Sequence, residues 1–135
     1  MRFDPTPFSL EVDSCVVAED AVFALVANVR TYIGRWSMLS DADPSDGLLD
    51  VLVFRGTKRW DLSGLAFSFF LQKHLARDDV VRYQGREIRA FAAEGSRVPV
   101  HVDGDDAGWL PARAVVRPAS VRVVVPKREF SASRS

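Results

Sequence analysis

From Val80 onward, short apolar runs recur between glycines and prolines, a pattern that few folds accept. The runs at 80–84, 87–92, 98–102, 112–116 and 121–125 are punctuated by Gly85, Gly95, Gly104, Gly108, Pro111 and Pro118. Such tight spacing is that of antiparallel strands joined by turns. Upstream, Phe8, Leu10 and Val12 alternate with Ser9, Glu11 and Asp13, the period-two signature of a half-buried strand. The stretch 21–29 is almost continuously apolar and reads as a buried central strand, and 49–54 reads as another.

One segment departs from this rhythm. Leu62, Leu65, Ala66, Phe69 and Phe70 fall at i, i+3, i+4, i+7 and i+8, the stripe of an amphipathic helix. Asp61 suits its N-cap, and Lys73 and His74 suit the negative pole at its other end. Many strands and one helix predict a mainly β fold: an antiparallel β-sandwich with one packed α-helix, over residues 1–126. A polar tail, 127–135, follows. The 135 residues suffice for one domain with a respectable core and are too few for two.

Charge and cysteine content narrow the chemistry. Eighteen basic and eighteen acidic residues cancel, so no bulk attraction to nucleic acid is expected. Arg86, Arg89, Arg97, Arg113, Arg117 and Arg122 crowd the second half, where solvated outer strand faces account for them. A single cysteine, Cys15, excludes an internal disulfide and a Cys-based zinc site. It fits a small residue at a strand end in a reducing, cytoplasmic setting. No apolar run reaches the ~18 residues of a membrane span, and the start lacks the apolar core of a signal peptide.

Two acidic, glycine-containing turns hold what chemistry there is: Asp43-Pro44-Ser45-Asp46-Gly47-Leu48-Leu49-Asp50 and Asp103-Gly104-Asp105-Asp106-Ala107-Gly108. Asp-Gly is a strong hairpin dipeptide, so turn chemistry alone explains both. On that reading Asp103-Gly104 joins 99–102 to 112–116. Neither turn satisfies a calcium-binding EF-hand: counted from Asp41, position 12 is Leu52, and counted from Asp103 it is Ala114. An irregular site of hard oxygen ligands, suited to Mg²⁺ or Ca²⁺, stays open in the first turn. His74 and His101 lack metal-ligand spacing, and His101 reads as an outward strand residue beside the second turn. Trp36, Trp60 and Trp109 cap the core or form an aromatic rim facing lipid. No phosphate-cradling motif, G-x-x-x-x-G-K-[ST] or G-x-G-x-x-G, occurs, and no G-x-S-x-G.

The order of these pieces resembles the C-terminal half of the diacylglycerol kinase-like lipid kinases, the bacterial group related to sphingosine and ceramide kinases. The matching residues are Phe8-Ser9-Leu10-Glu11-Val12-Asp13, Ala27-Asn28-Val29, Tyr32-Ile33-Gly34 and Asp46-Gly47-Leu48-Leu49-Asp50-Val51. They continue with Val98-Pro99-Val100-His101-Val102-Asp103-Gly104-Asp105, and with Pro118-Ala119-Ser120-Val121-Arg122-Val123-Val124-Val125-Pro126. No single motif is specific; their order and spacing together are.

The resemblance implies a β-sandwich domain that packs under a nucleotide-binding domain, with the active site between them. It implies transfer of the γ-phosphoryl group of ATP to a lipid hydroxyl with Mg²⁺. Carried over, Mg²⁺ falls to Asp46 and the backbone carbonyls of Asp43 and Leu48, and the proton acceptor falls to Asp105. Many relatives carry Glu at the position of Asp105, and tandem glycines where this chain has Ile33-Gly34. The glycine-rich G-G-D-G-T nucleotide motif is absent from these residues. The expectation is therefore the substrate-side domain of a lipid kinase, inactive alone, whose partners are a lipid substrate and a separate nucleotide-binding polypeptide. Peripheral membrane contact and self-association through an unpaired sheet edge are further expectations. The alternative is a non-catalytic module that binds lipid or protein.

Overall fold

A computed structural model describes residues 6–30, 32–33, 36–37, 39, 41–56 and 80–124. Ten strands appear there: β1 (Phe8–Val12), β2 (Cys15–Ala27), β3 (Tyr32–Ile33), β4 (Trp36–Ser37), β5 (Leu49–Arg55), β6 (Val80–Gly85), β7 (Glu87–Ala92), β8 (Pro99–Val102), β9 (Asp105–Trp109) and β10 (Ala112–Val115). Six form one antiparallel sheet in the order β10-β7-β1-β2-β5-β6, while β3–β4 and β8–β9 are two-stranded ribbons.

Connectivity forces the large sheet to curl. Only Arg86 separates β6 from β7, yet β6 lies at one edge and β7 lies beyond β1, next to the opposite edge. The chain can satisfy both pairings only if the sheet rolls until its ends meet. At the meeting point Gly85 is buried against β1, where a Cβ would stand 2.4 Å from Val12 Cγ1. The corner is fixed from the β1–β2 turn. Asp13 Oδ1 accepts from the amides of Arg86 at 2.8 Å and Glu87 at 2.9 Å, and Asp13 N donates to the Glu87 carbonyl at 2.9 Å. The thirteen-residue β2 serves both halves, pairing with β1 in its first part and β5 in its second, with a register shift between Ala21 and Phe23. A strand shared around a bend is how orthogonal sheet packings turn their corners.

The concave face is the main core. Phe8, Leu10, Val12, Ala18, Ala21, Leu49, Val51, Val53 and Ile88 pack together there, each fully buried aliphatic or aromatic side chain contributing about 1.5–3 kcal/mol. Across it the Tyr83 hydroxyl donates to the Val17 carbonyl at 3.2 Å. A second cluster on the other face joins Leu39, Ala42, Leu52, Phe54 and Val80. Because β5 serves both clusters, its first six residues are all buried. This is the β-sandwich-like architecture expected from the strand spacing.

Three expectations need correction. The central strand starts at Cys15, six residues before the apolar run, because β1 supplies a hairpin partner; it ends at Ala27 and is only partly buried, with Phe23 and Val26 exposed. Asp103-Gly104 leads into β9 and not into 112–116, which pairs instead with β7 as β10. Residues 121–124 form no strand: Val121, Val123 and Val124 are 75%, 76% and 97% exposed, and the segment pairs with no strand among the described residues. The helix expected from Asp61 to His74 lies outside the described residues, as do Trp60 and the tail 127–135.

Candidate functional site

The first acidic turn bridges the second cluster to β5, with Leu39 and Ala42 buried before it and Leu49 and Asp50 buried after it. Between these anchors residues 43–46 are exposed and organised by their own side chains. Asp43 Oδ1 accepts from the Ser45 amide at 2.8 Å and its hydroxyl at 2.6 Å. These bonds from Ser45 favour the ionised form and hold the Asp43 carboxyl below its ordinary range. Asp46 Oδ1 accepts from the Leu48 amide at 2.8 Å, and the Asp46 amide approaches the Asp43 carbonyl at 3.4 Å. Gly47, at φ +73°, makes the reversal in a conformation other residues resist.

This turn offers Asp46 Oδ2 and the Asp43 and Leu48 carbonyls, an all-oxygen donor set that suits a hard cation completed by water. Among the described residues no three His, Cys, Asp or Glu side chains converge on one point. A cation here would therefore be held largely by main-chain oxygen.

Arg82 on β6 closes the stem of the turn. Its Nη2 and Nε lie 2.5 and 3.0 Å from Asp50 Oδ1, and its Nη1 lies 3.3 Å from Asp41 Oδ2. Register explains the meeting, since Arg82 faces Leu52 across the β5–β6 pair and so shares a sheet face with Asp50, two residues along. Asp50 is 1% exposed, the one charged side chain buried among the described residues, and its Oδ2 has no hydrogen-bond partner there. Asp50 closes the first acidic turn in the sequence but is given no role there, and Arg82 is not singled out at all. The one available signal is an acid inside the apolar run at 49–54.

The second turn is a two-residue hairpin loop, Asp103 and Gly104 at φ +53° and +94°, closing the pair Val102↔Asp105. Positive φ at both residues is the type I′ pattern that Asp-Gly favours. The three aspartates differ in what they do. Asp103 forms the turn, and Asp106 Oδ1 accepts from the Gly108 amide at 2.8 Å. Asp105 is exposed and its side chain makes no hydrogen bond or ion pair among the described residues, leaving its carboxylate open to a ligand. No such bond joins it to Asp43, Asp46 or Leu48. Gly47 instead neighbours the Pro118 ring, which a Cβ at Gly47 would meet at 3.7 Å.

Other sequence candidates settle into ordinary roles. His101 is exposed on β8 opposite Asp106, and Cys15 is exposed at the start of β2. Arg89 and Arg113 stand opposite each other across β7 and β10, both paired with Glu87. Arg97 lies over the Trp109 ring at 4.9 Å.

Comparison with known proteins decides the family. Residues 1–125 match the family described as the YegS C-terminal NAD kinase beta sandwich-like domain. The chain belongs to that family. It is 32% identical over 127 residues to the diacylglycerol kinases of Mycobacterium tuberculosis strains CDC 1551 / Oshkosh and ATCC 25618 / H37Rv. That alignment covers 93% of this chain and 40% of each relative, so the domain spans well under half their length. A solved structure from Bacillus anthracis str. Sterne, described as a candidate diacylglycerol kinase, superposes with a TM-score of 0.64 at 22% identity, covering 85% of this chain and 37% of that one. At such identity it supports the fold alone. The family domain occupies the C-terminal part of diacylglycerol kinase-like proteins, in agreement with the order of motifs in the sequence.

Proposed function

We propose that this domain forms the substrate-side wall of an ATP-dependent lipid kinase, and that these 135 residues do not transfer phosphate alone. The observation that carries this reading is the unengaged Asp105 carboxylate at the tip of a type I′ hairpin, in a domain whose curated relatives are diacylglycerol kinases. Phosphoryl transfer needs positioning, charge neutralisation and a group that orients or deprotonates the attacking hydroxyl. Asp105 supplies the last. The turn at Asp43, Asp46 and Leu48 holds Mg²⁺, which stiffens the loop before β5. ATP is held by a nucleotide-binding part outside these residues, and the acceptor is a lipid hydroxyl.

The purified chain, incubated with ATP, Mg²⁺ and diacylglycerol vesicles, is expected to give no phosphorylated lipid. Fused behind the N-terminal part of the M. tuberculosis relative, it is expected to give product. Product from the chain alone contradicts the proposal.

A second reading, a lipid- or protein-binding module without chemistry, draws on Val102 and Trp109, which are 58% and 51% exposed on one hairpin. Cosedimentation of the chain with vesicles, accompanied by an inactive fusion, would favour it. Peripheral membrane association belongs to either reading; no helix among the described residues is long and apolar enough to cross a membrane. Self-association through β6 or β10, the sheet edges among the described residues, is checked by sedimentation.

A further inference from the structure

We infer that Arg82 is the positioning residue of the Asp43–Asp46–Leu48 cation turn. The inference rests on the reading of that turn as a Mg²⁺ site and goes beyond it, since Arg82 is no ligand. One guanidinium touches a carboxylate at each end of the ten-residue segment, Asp41 before the turn and Asp50 after it. The two contacts are unequal. The Asp50 side chain is 1% exposed and Arg82 26%, so this arm is fixed in the protein, whereas Asp41 is 74% exposed and is the arm that draws the loop in. The planar fork of arginine reaches the two carboxylates from separate nitrogens, whereas lysine would have to bring both onto one ammonium.

Buried Leu39 and Ala42 before the turn and Leu49 after it anchor its ends as well, but residues 43–46 between them are exposed. Its own hydrogen bonds, Asp43 with Ser45 and Asp46 with Leu48, fix local shape but do not tie the loop to the sheet. Its Leu48 carbonyl lies two residues before Asp50. A main-chain oxygen set has little carboxylate charge to attract a cation, so its affinity depends on how well the oxygens are held in place. Groups bonded directly to metal ligands typically set affinity by about 10–100-fold; Arg82 acts through the two flanks of the turn, so the lower end of that range is expected.

The sign of the effect separates positioning from simple charge. Arg82 is a cation near a cation site, so by Coulomb's law its removal should tighten Mg²⁺ binding. Positioning requires the opposite. The test is Mg²⁺ binding to the full 135-residue chain by titration calorimetry, together with the rise in melting temperature that saturating Mg²⁺ produces. Wild type is expected to bind and to be stabilised. Arg82→Met is expected to bind at least about tenfold more weakly and to lose most of the Mg²⁺-dependent rise, over and above any loss of stability without metal. Arg82→Lys keeps the charge and much of the packing, so it decides the matter if the methionine variant does not fold. It too is expected to bind more weakly. Variants that bind Mg²⁺ as tightly as wild type, or tighter, overturn the role of Arg82 and leave the cation turn standing. A wild-type chain that binds no Mg²⁺ overturns both.

Discussion

Gly85 and Val12 meet where the curled sheet closes on itself, so near that a Cβ on Gly85 would stand 2.4 Å from Val12 Cγ1. The buried Val12 side chain and the Asp13 carboxylate, whose Oδ2 would lie 3.0 Å from that Cβ and whose Oδ1 accepts from two amides, would have to shift. Gly85→Ala is expected to lose about 1–3 kcal/mol in urea unfolding, the usual range for overpacking. Adding Val12→Ala should return part of that loss, a coupling that a double-mutant cycle reads directly.

The neighbouring turn makes the opposite kind of prediction. Ser14 sits at φ +69° without glycine's freedom, and its side chain makes no hydrogen bond among the described residues. Ser14→Gly is expected to raise stability by roughly 1 kcal/mol, the scale of the left-handed penalty it relieves. Asp13 occupies φ +49° too, but its carboxylate holds the Arg86 and Glu87 amides, so Asp13→Gly should destabilise. Thermal melts of the two variants beside wild type check both signs.

Much of this is legible in the sequence, for a physical reason. Strand alternation reports burial on one face, and β1 shows it cleanly with Phe8, Leu10 and Val12 inside. The Asp103-Gly104 hairpin is legible because type I′ geometry restricts its residues. Partnership is what the sequence hides. The apolar alternation of 121–124 resembles a strand, yet a strand exists only when another chain segment accepts its hydrogen bonds. In the same way, Asp50 and Arg82 lie thirty-two positions apart, and only the β5–β6 register brings them together. Neither residue type announces that meeting.

That buried pair has an energetic consequence. Asp50→Ala leaves Arg82 near the apolar second cluster, its ion pair with buried Asp50 lost and only the one with exposed Asp41 kept, and is expected to cost about 2–4 kcal/mol. Replacing both with apolar residues, Asp50→Leu with Arg82→Met, should cost less than the sum of the single changes. Chemical denaturation of the three variants measures this.

Glu87 governs acid sensitivity on the outer face. Arg113, and then Arg89, hold its carboxyl below the ordinary range. A lowered folded-state value means that the unfolded chain takes up the proton first as pH falls. The stabilisation is thus complete above the ordinary carboxylate range and disappears as pH drops through the folded value. Glu87→Gln is expected to reduce stability at neutral pH and to flatten the acid limb of the stability profile. It leaves Arg89 and Arg113 opposite each other without their shared anion.

In the proposed function the Asp105 hairpin carries the proton-accepting group of a lipid kinase. The most direct measurement is kcat for diacylglycerol phosphorylation by the fusion with the N-terminal part of the M. tuberculosis relative, comparing wild type with Asp105→Asn. The account expects at least about a hundredfold lower kcat, with unchanged melting temperature, since the carboxylate bonds to nothing among the described residues. An asparagine variant that turns over at the wild-type rate would contradict it.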